Sequence, residues 1–358
     1  MDIDFSEINY LVDPCSRTLH ADYEQFLLSL IGLTVIDING ENNDEWRVIS
    51  TLLHGDEPSG LIGIHRWLTA ENTLPRPKTN IRIIISSVEA ATHQHLFHHR
   101  YMPDGIDLNR CFNEQSIRQS EYQDNQHLNG YVERARLIAH AIREVNPKAI
   151  IDIHNTSGNC PAFAVSTLIS PNVLSITSYF CDTLLLSDIR IGGLMEVDFP
   201  CPVVTIECGG KMDDQAHDVA FKGIKQFAQC DSQCALPQDK AVQILYKPLR
   251  LTIKPDRKLS FSKHDENYSG VTLRDNIEQF NYGGCCDGLV LGWLDDKGLE
   301  NLEMLNDQGV NVIDKYFRVD ENKLLCASNL KIFMASTEKD IARSDCLFYV
   351  VNNVSNFL

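Results

Sequence analysis

A chain of 358 residues with a formal net charge of −17 and no Lys/Arg-rich run argues against a nucleic-acid partner, because gripping a phosphate backbone takes clustered positive charge. The length points to two domains, the larger able to bury a substantial apolar interior. No stretch approaches the roughly 20 apolar residues of a membrane span, and MDIDFSEINYLVDP lacks the basic start and apolar centre of a secretory signal, so a cytoplasmic location without a membrane partner is expected.

The first strand is expected at WRVISTLL (46–53), followed by the polar turn HGDE and then PSGLIGIHRWL, which places Leu61, Ile64 and Leu68 at helical spacing. Pro58 suits a first-turn position, where no amide donor is needed. A second strand, NIRIIISSV (80–88), leads by a longer loop through Arg100 into DGIDLNRCF (104–112). The segment YVERARLIAHAIREV (131–145) carries Ile138, Ala141, Ile142 and Val145 on one helical face and stops at Asn146-Pro147. KAIIDIH (148–154) and PVVTIE (202–207) have the near-continuous apolar, β-branched texture of strands covered on both faces, and AHDVAFKGIKQFA (216–228) is again helical. Strands alternating with helices predict an α/β fold, a mostly parallel or mixed central sheet with helices on both faces.

The pattern changes near DSQCALPQDK (231–240). AVQILYK, LRLTIK, KLSFS, GLVLGWL, KIFMA and CLFYVV are short strands punctuated by Pro, Gly, Asn and Asp. The expected organisation is therefore a catalytic domain over 1–232 and a smaller all-β domain over 240–358.

In open α/β sheets ligands collect beyond the carboxyl ends of the strands. Those ends here carry His54 and Glu57, then His154, then Glu207. Two imidazoles and a carboxylate are the donor set of a catalytic zinc with one position left for water, and a second carboxylate nearby suits the proton acceptor of a hydrolytic site. His54, Glu57 and His154 are thus the expected ligands of one zinc per chain, with Glu207 as general base. Each alone has a plainer reading: His-x-x-Glu as a solvated helix face, His154 as a core histidine bonded to backbone, Glu207 as a paired buried acid. Their recurrence at strand ends favours the site.

HGDEPSG, IDLNRCF, DIHNTSG and TIECGG, in that order across residues 54–210, resemble the succinylglutamate desuccinylase/aspartoacylase family, which is related to the zinc carboxypeptidases. The resemblance implies the same three ligands and the same base. It also implies that Asp107 orients the ring of His54, that Asn109 and Arg110 anchor a substrate carboxylate, and that Arg100 stabilises an oxyanion on the scissile carbonyl. Asp107 could equally cap a turn, and Arg110 could sit in a structural ion pair. The insertion PDG before DLNR sets Arg100 two residues off the family spacing, and Asp56 stands where the family commonly has asparagine, adding negative charge near the zinc.

The implied activity is hydrolysis of the amide bond of a small, carboxylate-bearing N-acyl amino acid. A zinc metallocarboxypeptidase acting on short peptides is the alternative, and a metal-binding sensor without turnover a third reading. Arg190 and Tyr282 are further candidates for reading the substrate, and His93, His95, His98 and His99 are expected in an exposed loop. The twelve cysteines are scattered, with no C-x-x-C pair; they read as buried thiols, and neither Cys111 nor Cys208 has the adjacent base a nucleophile needs.

Overall fold

A computed structural model describes residues 4–70, 75–113, 126–230, 241–352 and 356–357. The segment 231–240, where the sequence pattern changes, lies outside the described residues. Nine strands of the large sheet are β1 (Asn9–Val12), β2 (Thr34–Ile38), β3 (Asn42–Thr51), β4 (Thr79–Ile85), β5 (Ile150–Thr156), β6 (Phe163–Ser166), β7 (Thr183–Leu186), β8 (Val203–Gly210) and β9 (Gln243–Tyr246). They run in the order β1-β2-β4-β3-β5-β8-β6-β7-β9, with Asn356–Phe357 as a tenth strand at the edge. The pairs β3–β4, β3–β5 and β5–β8 at the centre are parallel, whereas β2–β4 and β6–β8 are antiparallel, so the sheet is mixed.

The four expected strands are β3, β4, β5 and β8, each within a few residues of its expected bounds. They are buried on both faces because alternate residues face different helices. Ile49, Ile151 and Ile206 pack into one core with the helices Ser59–Thr69, Pro171–Phe180 and Asp214–Gln229. Val48, Ile84 and Ile150 pack into another with Ala135, Ile138 and Ile142 of the helix Gln126–Glu144. A fully buried side chain of this size contributes about 1.5–3 kcal/mol, so covering both faces with helices is what holds the central strands together. The sequence reading did not pick out β1, β2, β6 or β7; β6 and β7 are only four residues each (FAVS and TLLL), too short for periodicity to separate from loop.

The expected strands after residue 240 are all present. Ten of the C-terminal strands form two further five-stranded sheets around a separate core that includes Leu251, Leu273, Leu291, Phe317, Ile332 and Phe348. AVQILYK differs from expectation in its partner: β9 pairs in parallel with β7, in register Thr183↔Gln243 to Leu186↔Tyr246, and so extends the large sheet. Pairing partners are a long-range property that a strand's own residues do not encode. Among the described residues, no helix is long and apolar enough to cross a membrane.

Candidate metal and active site

The first motif is built by an abrupt turn. β3 ends at Thr51, and Leu52 adopts a positive φ of 53°, a conformation that redirects the chain so that His54 and Glu57 face the carboxyl edge of the sheet. A Cβ at Gly55 would lie 2.6 Å from both Ala91 N and His99 O, so the glycine of HGDE is required by close backbone approach. Pro58 is the residue before the helix that begins at Ser59, one position from its expected place.

Glu57 stands between two imidazoles. Its Oε1 lies 2.8 Å from His54 Nδ1 and its Oε2 2.8 Å from His154 Nδ1, with the rings 5.1 Å apart. The far nitrogen of each ring meets another carboxylate: His54 Nε2 is 2.8 Å from Asp107 Oδ1, and His154 Nε2 is 2.9 Å from Asp152 Oδ2. All three inner residues are buried, and one donor atom from each lies within 4.8 Å of the others. An imidazole that donates Nε2–H outward to a carboxylate presents its Nδ1 lone pair inward. Two such lone pairs and a carboxylate converging in a buried space repel one another unless a cation lies among them, so the donor set fits a divalent metal, and its mix of two nitrogens with carboxylate oxygen fits zinc.

The charges around the rings act against their burial. Burial alone would favour neutral His154, yet Asp152 and Glu57 hold its pKa well above the usual imidazole value. Burial opposes ionisation of Glu57 and Asp107 too, but the imidazoles hold both carboxyls below their ordinary range, with Arg100 and Arg110 adding to the effect at Asp107.

Asp107 fills both of its expected places. One oxygen faces His54, and the same side chain accepts the Asn109 backbone N–H at 2.8 Å, capping the short 3-10 turn Leu108–Arg110. Arg100 reaches the same cluster: Nη1 donates to Glu57 Oε1 at 2.9 Å and Nη2 to Asp107 Oδ2 at 3.3 Å. Its charge is thus shared between two carboxylates at the cavity wall. Arg110 Nη2 donates to Asp345 Oδ1 at 3.2 Å, an atom that also accepts from Arg250 Nη2 at 2.7 Å. Asn109 Oδ1 accepts from Leu194 N at 3.0 Å and so ties the DLNR turn to the segment opposite.

Glu207 is the register partner of His154 on the neighbouring parallel strand, which puts both side chains on one face of the sheet. It is buried, its Oε2 has no hydrogen-bond partner, and burial pushes its carboxyl up to about 7 against the pull of His154. His54, Glu57, Arg100, Asn109, Arg110, His154 and Glu207 all line one cavity of ≈ 1030 Å³, its open mouth included.

Other candidates lie elsewhere. Tyr282 is not among the residues lining that cavity; its hydroxyl bonds Thr183, Lys331 Nζ lies 4.6 Å from its ring centroid, and its ring packs on Phe333. Arg190 is exposed and also outside the lining, although its neighbours Ile189 and Ile191 belong to it. Asp56 is buried and paired with Lys211 Nζ at 2.9 Å, so its charge is matched locally. His95 and His98 are exposed and His93 and His99 half-buried, with His93, His98 and His99 in ring-to-ring contact. Burial pushes the Cys111 thiol up to about 12 and holds that of Cys208 well above the ordinary value, so neither is a thiolate at neutral pH.

Three contributors escaped the sequence reading. Asp152 was detectable: Asp-x-His within a strand puts both side chains on the same face, one pleat apart. Asn155 donates its backbone N–H to Glu57 Oε2 at 3.2 Å, while its side chain bridges Ser59 and the Gly209 carbonyl. Its place beside His154 was the available signal. Asp345, about 235 residues from Arg110 (|i−j| = 235), had none.

Fold and site together define an α/β protein with a candidate metal centre at the carboxyl ends of its central strands. The model of the succinylglutamate desuccinylase/aspartoacylase catalytic domain matches residues 47–172, so that segment, which carries His54, Glu57 and His154, is similar to this family's catalytic domain. No curated protein sequence matches. Solved structures similar in fold include the succinylglutamate desuccinylase of Vibrio parahaemolyticus, at 15% identity and TM-score 0.56 over 89% of this chain and 85% of that one. Murine aminoacylase 3 is similar at 14% identity and TM-score 0.53, over 89% and 98% of the two chains. A succinylglutamate desuccinylase/aspartoacylase from Rhodobacter sphaeroides is similar at 12% identity and TM-score 0.56, over 90% and 89%.

Proposed function

We propose that the chain is a zinc-dependent hydrolase that cleaves the amide bond of a small N-acyl amino acid, with one ion per chain held by His54, Glu57 and His154. The observation that carries this reading is the pairing of an inward-facing His–Glu–His cluster with Glu207, a buried carboxylate whose free oxygen shares its cavity. When bound, zinc supplies Lewis acidity, easing deprotonation of water and polarising a carbonyl. Glu207 takes a proton from the attacking water as its oxygen bonds to the acyl carbon. Glu207 then returns that proton to the nitrogen as the C–N bond breaks, leaving a carboxylate and an amine.

Arg100 adds positive charge beside the carbonyl, where the oxyanion develops. Arg110 and Asn109 face the same space and orient the substrate carboxylate, a guanidinium offering two parallel donors. Asp107 and Asp152 hold the two imidazoles in the tautomer that directs Nδ1 inward.

The peptidase alternative uses the same chemistry on a longer substrate. Met334, Ile341, Asp345 and Tyr349 line the same cavity as the two histidines, and this wall supports a small substrate over a long peptide. The test is metal analysis together with hydrolysis of N-acyl amino acids and short peptides, run on zinc-loaded and chelated protein. Expected are about one equivalent of zinc and acyl-amino-acid hydrolysis that chelation abolishes. Faster cleavage of peptides would favour the carboxypeptidase, and zinc without turnover on either class would favour a sensor.

A further inference from the structure

The cavity changes character across the sheet. β5, β8, β6 and β7 lie side by side, and register places His154 beside Glu207 and Glu207 beside Phe163. The neighbouring row reads Thr205, Val165, Leu185. Residues in register on adjacent strands share a face, and all six of these line the cavity. Its floor therefore runs from a metal-binding and acid–base end on β5 and β8 to an aliphatic and aromatic end on β6 and β7. Ile189 continues the apolar end beyond β7, and Met334 and Ile341 face it from the C-terminal region.

The charges at the polar end set a second limit. Among the described residues lining the cavity, the cations are Arg100 and Arg110 and the anions Glu57, Glu196, Glu207 and Asp345. Arg100 is held by Glu57 and Asp107. Glu196 is satisfied by the backbone N–H groups of Ile191, Gly192 and Gly193. Arg110 shares the carboxylate of Asp345 with Arg250, and its Nη1 lies 3.9 Å from Asp107 Oδ2, so Arg110 is the one guanidinium the described lining offers to a substrate carboxylate. One substrate carboxylate is matched there. A second would lie against Phe163, Val165 or Leu185, desolvated and unpaired, which is strongly unfavourable.

We propose that the preferred substrate carries one carboxylate, bound at Arg110, and one apolar group laid on Phe163, Val165, Leu185 and Ile189, and that acyl amino acids with two or more carboxylates are rejected. This rests on the hydrolase reading above and narrows its substrate class.

The test is kcat/KM of the zinc-loaded protein on N-acetyl-L-phenylalanine, N-octanoylglycine, N-acetyl-L-aspartate and N-succinyl-L-glutamate, with calorimetric binding of the same four compounds. At least one of the first two should exceed both of the last two, which carry two and three carboxylates, by tenfold or more, in rate and in affinity; whichever is faster tells whether the apolar group belongs to the amino acid or to the acyl chain. Ile189→Arg, at a half-buried position where a new guanidinium can reach water, should narrow or invert that ratio. Equal or better use of these polycarboxylates by the unaltered protein overturns the proposal. Absence of turnover on all four with the affinity order intact would count against the hydrolase reading and leave the binding preference standing, whereas tighter binding of the polycarboxylates would overturn the preference whatever the turnover.

Discussion

The candidate metal and acid–base groups of the cavity come from strand ends and adjoining turns between His54 and Glu207, whereas Met334, Ile341, Asp345 and Tyr349 reach it from a region whose own core is a set of short strands. In the first region each site residue sits next to an element that aims it: the turn at Leu52–Gly55, the capped DLNR turn, and the register of β5 with β8. In the second, the contributing residues are set by how that region packs onto the large sheet. Phe163, Leu185, Leu245, Phe333 and Tyr349 form one buried cluster across the two. The difference teaches that the proposed reaction chemistry belongs to strand ends aimed by local elements, while the C-terminal wall is set by long-range packing.

Substitutions that separate the two regions should differ in size and in kind. Glu207→Gln removes the proposed proton acceptor while keeping volume and burial, and is expected to lower kcat by about 10²–10⁴-fold with zinc content unchanged by metal analysis. Retained activity in that variant would show that another group accepts the proton. Asp152→Asn replaces the carboxylate behind His154 and should weaken zinc affinity by about 10–100-fold, measured by competition with a chelator; an unchanged affinity would mean that β5 alone orients the ring. Asp345→Asn, in the C-terminal region, should leave zinc affinity and kcat near their original values. It should shift KM by roughly two- to tenfold, since it weakens the partner that Arg110 shares with Arg250, a charge-assisted contact of modest strength. A large loss of kcat or of zinc there would erase the distinction between the two regions.

Much of the catalytic end was readable because its signals are local. HGDE follows an apolar strand, DIH ends another and TIE a third, so the expected ligands and base could be placed at one sheet edge before any contact was known. The pairing of Arg110 with Asp345 was less readable, since it depends on a partner far along the chain. Arg100, expected beside the scissile carbonyl, donates to Glu57 and Asp107 at the cavity wall, partners that its own loop does not indicate. A tyrosine in NYGGCC stood out by its composition, yet Tyr282 packs on Phe333, away from the cavity lining.

By itself the sequence determined the four central strands β3, β4, β5 and β8, the helices beside them and the polar residues at the strand ends, because hydrophobic period, turn residues and strand-end polarity act over a few neighbouring positions. Only the tertiary structure decided that β9 joins the large sheet and that the cavity grades from charged to apolar across β8, β6 and β7. Those are outcomes of strand pairing and register, in which residues distant in the chain become neighbours through backbone hydrogen bonds that every residue type can make.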